Sequence, residues 1–235
     1  MKTLPLLFSI LLFSACTPTD PNQQIDEGQV QGSMYESKEI GWQIEIPKDW
    51  KIIAKDAIEA NDEKGKEAIK EAIGQEVDAK SLKHLISFQK DQFNIFNSTS
   101  QPYKEESPGD YQVSNKALNE IIYHTFANQG IKVDTSSGYE KIQDLQFNKF
   151  SITVYDNKNN VILKQLLFSR LINGYDFGVN INYNNEQDKE TMLNAFYKSK
   201  FGMKTQNFWH IKLVIWRRKI AVRLYFISWK IIKYN

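Results

Sequence analysis

The chain has 235 residues, of which 41% are hydrophobic, with 30 Lys or Arg balanced against 28 Asp or Glu and a single cysteine. The near-neutral balance excludes a generally basic nucleic-acid binder, and the apolar content is enough for a packed core. One cysteine excludes an intramolecular disulfide and any Cys-x-x-Cys chemistry.

In chain order, Met1-Lys2-Thr3 supplies a positive start, Leu4 to Phe13 an apolar run, and Ser14-Ala15 small residues ahead of Cys16. The apolar run is about half of the roughly 20 residues a membrane-spanning helix needs, so it reads as a cleaved signal. Ser14-Ala15-Cys16 resembles the lipobox of bacterial lipoproteins, with Phe13 where an aliphatic residue is usual. The resemblance implies cleavage between Ala15 and Cys16 and lipidation of the Cys16 thiol. It places the mature protein in the bacterial cell envelope, anchored to a membrane by its N-terminal cysteine. Residues 1–15 are then the signal peptide. Residues 16–33, rich in Pro, Gln, Asp and Thr, read as the lipidated cysteine and a flexible tether with a reach of roughly 20 to 25 Å.

Residues 34–203 read as one domain. Gly41 to Pro47 alternates so that Trp42, Ile44 and Ile46 share one face of a strand, which Pro47 ends, with Trp50 in the turn. Lys55 to Val77 carries Ala57, Ile58, Ala68, Ile69, Ala72 and Ile73 at helical spacing among many charges, with a break expected near Gly65. Leu82 to Gln89 and Asn94 to Ser100 read as short strands. Ser114 is suited to cap a helix whose stripe is Leu118, Ile121, Ile122 and Phe126, ending at Gly130. Phe147 to Tyr155, Val161 to Leu171 and Tyr175 to Tyr183 form a strand meander. The last turn, Asn173-Gly174, is a hairpin signal because both residues tolerate positive φ. A helix from Glu186 to Lys198 closes the domain on Met192, Leu193 and Phe196. These elements predict an α+β fold, an antiparallel β-sheet covered by helices in an α/β/α sandwich.

Trp42, the Ile46-Pro47 stop and Trp50, followed by an inserted helix, two strands, a long helix, a meander and a closing helix, resemble the PsbP-like superfamily across roughly residues 34–201. The inserted charged helix fits a bacterial lipoprotein branch better than a photosynthetic one. The resemblance implies a non-catalytic binding or assembly domain whose partner is an envelope protein or a small ligand. No nucleic-acid partner is expected.

Motifs for chemistry are sparse. There is no Gly-x-Ser-x-Gly, no phosphate-cradling glycine loop and no paired histidines at zinc spacing, so no metal or other cofactor is assigned. Asp156-Asn157-Lys158-Asn159-Asn160 puts an ammonium at the third position of a would-be calcium loop and reads as a turn. The acidic residues around Asp62 and Glu63, interleaved with Lys64 and Lys66, read as a solvated helix face. His84 and His124 fall within a strand and a helix and read as structural. The alternatives are a lipoprotein hydrolase with a triad assembled only in space, and a protein that binds membrane surfaces through its tail.

That tail, residues 204–235, holds eight Lys or Arg, no Asp or Glu, and Trp209, Trp216 and Trp229, leaving the rest of the chain at −6. A basic amphipathic helix, strands, and a frameshifted or non-native extension all fit its composition. For the anchor, replacing Cys16 by Ser is expected to move the mature protein from the detergent phase to the aqueous phase. Continued retention in the detergent phase would assign membrane binding to the tail.

Overall fold

The computed structural model describes residues 20–74 and 79–202. The chain enters through a 3₁₀ turn at Pro21–Gln24, then forms β1 (Gln29–Gln31), β2 (Met34–Ser37), β3 (Trp42–Glu45), β4 (Lys51–Ile52), α1 (Lys55–Ile73), β5 (Lys83–Gln89) and β6 (Ile95–Pro102). It continues through α2 (Asp110–Asn128), β7 (Val133–Ile142), β8 (Leu145–Tyr155), β9 (Val161–Ile172), β10 (Tyr175–Tyr183), α3 (Glu186–Lys198) and β11 (Lys200–Phe201). A seven-stranded antiparallel sheet has the order β4-β5-β6-β10-β9-β8-β7, and a four-stranded sheet the order β1-β2-β3-β11.

The large sheet is covered on both faces, as an α+β fold with an antiparallel sheet under helices requires. One face carries α1 and α2, which meet Phe150, Ile152, Val154 and Leu163 through Ile69, Leu118, Ile122 and Phe126. The other carries α3 together with the small sheet, so this third layer is part helix and part strand rather than helix alone. Between them lies the main core, where Trp42 and Ile44 from β3, Phe96, Phe168 and Phe177 from the large sheet, and Phe196 from α3 are fully or almost fully buried.

Trp42 is the hub. Its ring centroid is 4.9 Å from that of Phe177, 5.9 Å from Tyr35, and between 6.3 and 6.4 Å from Phe96, Phe196 and Phe201. Its indole N–H donates to Ser199 Oγ at 2.9 Å, which satisfies the one polar atom the ring brings into the core. Truncating a buried aromatic of this kind costs ~3–5 kcal/mol. The chain closes beside it, where the Gly202 N–H bonds the Gly41 carbonyl at 2.6 Å. A Cβ on Gly41 would fall 2.2 Å from the Gly202 carbonyl oxygen, and its φ of +72° already favours glycine.

Several local expectations hold. Trp42, Ile44 and Ile46 are all buried, Met192, Leu193 and Phe196 are the buried residues of α3, and Asn173 and Gly174 have φ of 51° and 81°, as the tight hairpin needs. At the end of α2, Gly130 is left-handed; its N–H bonds the Ala127 carbonyl while that of Ile131 bonds the Phe126 carbonyl, a Schellman stop.

Other expectations are corrected. Helix α1 runs unbroken through Gly65, which is buried on the same side as Ile58 and Ile69, so the glycine sits where the helix packs closely. The expected continuation to Val77 falls outside the described residues. Helix α2 starts a turn before Ser114: Gly109 precedes it with φ 93°, and Asp110 accepts from the Glu106 and Ser107 N–H groups. Ser114 instead bonds Tyr103 Oη at 3.1 Å. Strand β7, absent from the sequence reading, pairs with β8 along its whole length.

The largest correction concerns the tether. Residues 20–33 belong to the domain, because their carboxylates find fixed partners that outweigh their lack of apolar surface. Asp26 exchanges backbone and side-chain bonds with the His84 main chain and pairs with Lys55 Nζ. Glu27 accepts from Ser37 Oγ and from the N–H groups of Lys38 and Glu39, while Tyr35 Oη donates to the Glu27 carbonyl. Val30 is 5% exposed.

Burial pushes the Asp26 carboxyl up, but the Lys55 ammonium and the His84 N–H outweigh it and hold it below its ordinary value. A depressed carboxyl contributes stability above its unfolded pKa, and that contribution is lost as pH falls through the folded one. Asp26→Asn is therefore expected to lose up to about 1 kcal/mol near neutral pH, the scale of a partly exposed pair. The gap from wild type should close as pH falls below the ordinary carboxylate range, as read from urea midpoints against pH.

Candidate functional site

The centre of the large sheet is polar on the face that α1 and α2 cover. Residues alternate along β10, so Phe177, Val179, Ile181 and Tyr183 enter the main core while Asp176, Gly178, Asn180 and Asn182 face the helices. Register places Asn180 beside Asn97 of β6 and Leu167 of β9, and Gly178 beside Thr99 and Ser169. Asn97, Thr99, Gln165, Ser169, Asp176, Asn180 and Asn182 are each no more than 8% exposed.

Most of this layer is internally paired. Gln165 Nε2 donates to Asn182 Oδ1 at 2.7 Å, Ser169 Oγ to Asn115 Oδ1 at 2.7 Å, and Asn115 Nδ2 to the Tyr111 carbonyl at 2.8 Å. Tyr111 Oη donates to Asp176 Oδ1 at 2.8 Å. Tyr103, edge-on to Tyr111 at 5.3 Å, has its phenol pushed above the ordinary range by burial, with Ser114 opposing and Asp110 and Asp176 reinforcing, so it works as a neutral hydroxyl.

Among the described residues, Gln165 leaves its Oε1 without a partner, and Asn180 leaves its whole amide so. Asn180 is 3% exposed, and neither Oδ1 nor Nδ2 has a hydrogen-bond partner among the described residues. An unsatisfied buried polar group costs about 1–3 kcal/mol, and this amide presents both a donor and an acceptor. It lines a cleft between the sheet and α2, with Thr99, Asn115, Leu118, Asn119, Asn148, Phe150, Leu167, Ser169 and Gly178 among the other lining residues. The cleft has a volume of about 30 Å³, room for about two water-sized groups. Half-buried Asn119 and Asn148 are among its least buried lining residues.

A second, wider groove of about 490 Å³ runs between the small sheet and α3, lined by Met34, Gln43, Glu45, Thr191, Lys198 and Lys200 among others. No buried orphaned atom lies among its lining residues, so the cleft beneath α2 is the stronger candidate.

The residues singled out from sequence fall as follows. Cys16 and Ala15, with the proposed cleavage and lipidation, lie outside the described residues, as do the tail 204–235 and His210. His84 Nε2 bonds Asp62 Oδ2 at 2.7 Å, and its main chain bonds Asp26, so it braces β5 against α1 and the N-terminal segment. His124 is exposed on α2 beside Tyr123. Asp156 folds its own turn: Oδ1 accepts from the Lys158 and Asn160 N–H groups and Oδ2 from Asn160 Nδ2, which holds its carboxyl below the ordinary value. Among the described residues, no three His, Cys, Asp or Glu side chains gather as a metal site would need.

Asn180 and Gly178 were missed from sequence. The available signal was a glycine inside a strand, which often marks close approach of another group, followed by amides at alternate positions.

No protein-family model matches the sequence, and no curated protein matches it. Among solved structures, the chain is similar to the solution structure of cyanobacterial PsbP (CyanoP) from Synechocystis sp. PCC 6803, with TM-score 0.47 and 10% identity. The match covers 74% of this chain and 96% of that one. At this identity and score the likeness carries no inference about ligand, partner or activity.

Replacing Asn180 by Val removes the orphaned amide and suits a strand. Thermal denaturation is expected to show no loss of stability and a gain of up to about 1–3 kcal/mol, in contrast to the loss usual for buried substitutions.

Proposed function

We propose that this is a lipid-anchored protein of the bacterial cell envelope whose PsbP-like domain binds a ligand or partner without turning it over. The observation that carries the binding reading is the Asn180 amide, buried, unpaired and lining the cleft beneath α2. A fold that leaves such a group unpaired forgoes stability there, and a visiting molecule that completes its hydrogen bonds recovers it.

The anchor is Cys16, and Asp20, four residues on, already bonds within the domain through the Asn22 N–H. Even fully extended, the step from Cys16 to Asp20 spans at most about 14 Å. The domain is thus held closer to the membrane than a tether through Ser33 would allow.

The non-catalytic reading is favoured by how the nearest candidate dyad is used. His84 and Asp62 are bonded to each other, His84 is 8% exposed, and both are committed to holding α1 on β5. A general base needs access to a substrate proton.

A photo-crosslinking residue at Asn119, beside the cleft, is expected to capture a discrete partner in intact cells, whereas one at exposed Glu67 on α1 is not. Cys16→Ser should lower the yield by releasing the protein from the membrane. Equal capture from both positions, or turnover abolished by His84→Ala with the fold intact, would overturn the reading.

A further inference from the structure

The chemistry of the cleft narrows what can enter it. Its polar lining consists of carboxamides and hydroxyls: Asn115, Asn119, Asn148 and Asn180, with Thr99 and Ser169. The one charged lining residue, Lys149, has its ammonium paired with Glu140 at 2.9 Å, on the opposite face over the Phe168 ring. An ion would therefore enter without a counter-charge. An anion offers only acceptors and would leave Asn180 Oδ1 unpaired, whereas a cation offers only donors and would leave Nδ2 unpaired.

We infer that the cleft recognises a neutral carboxamide group carried on a short apolar stem, which pairs its own N–H and C=O with those of Asn180. The two-point match satisfies both orphaned functions of Asn180 at once. Leu118, Phe150 and Leu167 line the same cleft and take the stem. This inference rests on the reading of the cleft as a ligand site and specifies its ligand.

Gly178 makes the room. It lies one alternation from Asn180 on the same face of β10, between Thr99 and Ser169, and it is absent from the positive-φ positions. The backbone there does not demand glycine, so what the residue contributes is the missing side chain. A strand-interior glycine weakens a sheet unless another group comes close. Here the space it leaves adjoins the unpaired amide.

The test is a titration of the isotope-labelled full chain followed by NMR at the Asn180 side-chain amide. The probes are acetamide, acetate and methylammonium, then the peptides Gly-Gln-Gly and Gly-Glu-Gly. A saturable shift with acetamide, at least about tenfold tighter than with acetate or methylammonium, is expected, because a site built to hydrogen-bond a group rejects analogues lacking it. Gly-Gln-Gly binding over Gly-Glu-Gly would identify the source as a glutamine side chain of a polypeptide, and acetamide binding alone a free small amide; either supports the inference. Asn180→Leu and Gly178→Val should each abolish saturation while keeping the near-ultraviolet circular dichroism of the Trp42 cluster. If either variant fails to fold, the probe preference of the unaltered chain still decides. Tighter saturation by acetate or methylammonium would overturn the carboxamide assignment and leave the cleft as a ligand site. Linear, unsaturated shifts with every probe would mean ordered water only and would overturn both.

Discussion

The bond between the Trp42 indole N–H and Ser199 Oγ holds the two sheets and the closing helix in one arrangement. Trp42 belongs to the small sheet, while the rings around it come from the large sheet, α3 and β11. Ser199 stands just past α3 and donates its own O–H to the Phe196 carbonyl at 2.7 Å, so the serine closes the helix and satisfies the ring together. Every large neighbour is then placed by contact with a ring whose orientation is set by a directional bond. The close approach of Gly41 to Gly202 follows, since β11 can pair with β3 only if nothing protrudes there.

What was legible in the sequence was legible through periodicity. Trp42, Ile44 and Ile46 alternate, α3 presents Met192, Leu193 and Phe196 on one side, and Asn173-Gly174 admits positive φ; each is a local property. What escaped depends on distant partners. Residues 20–33 have too little apolar content to order themselves, but Asp26 and Glu27 meet donors on β5 and beyond β2. Strand β7 lacks alternation because Asp134 to Tyr139 are exposed whichever way they point, and it is a strand because β8 pairs with it. Gly65 looked like a helix break because intrinsic propensity disfavours glycine, yet its place on the packed side of α1 overrides that preference.

The candidate site illustrates the same division. The strand carrying Asn180 was foreseen with its observed limits, Tyr175 to Tyr183, but which of its faces enters the core was not. Its even positions, Asp176, Gly178, Asn180 and Asn182, have the polarity of a solvent face. Only α2 crossing above them makes them interior, and that crossing is set by the packing of Leu118, Ile122 and Phe126 on strands β8 and β9. Site chemistry here is local in residue type and tertiary in burial.

The polar layer beneath α2 also shapes how stability changes with temperature. Unfolding exposes apolar surface, which raises the heat capacity by about 0.45 cal/K/mol per Å², and polar surface, which lowers it by about 0.26. Each amide and hydroxyl stacked between the sheet and α2 subtracts from the increment that aliphatic residues there would add. The stability curve of this domain is accordingly flatter than that of an all-apolar sandwich of equal size, and its folding free energy varies less between cold and warm surroundings.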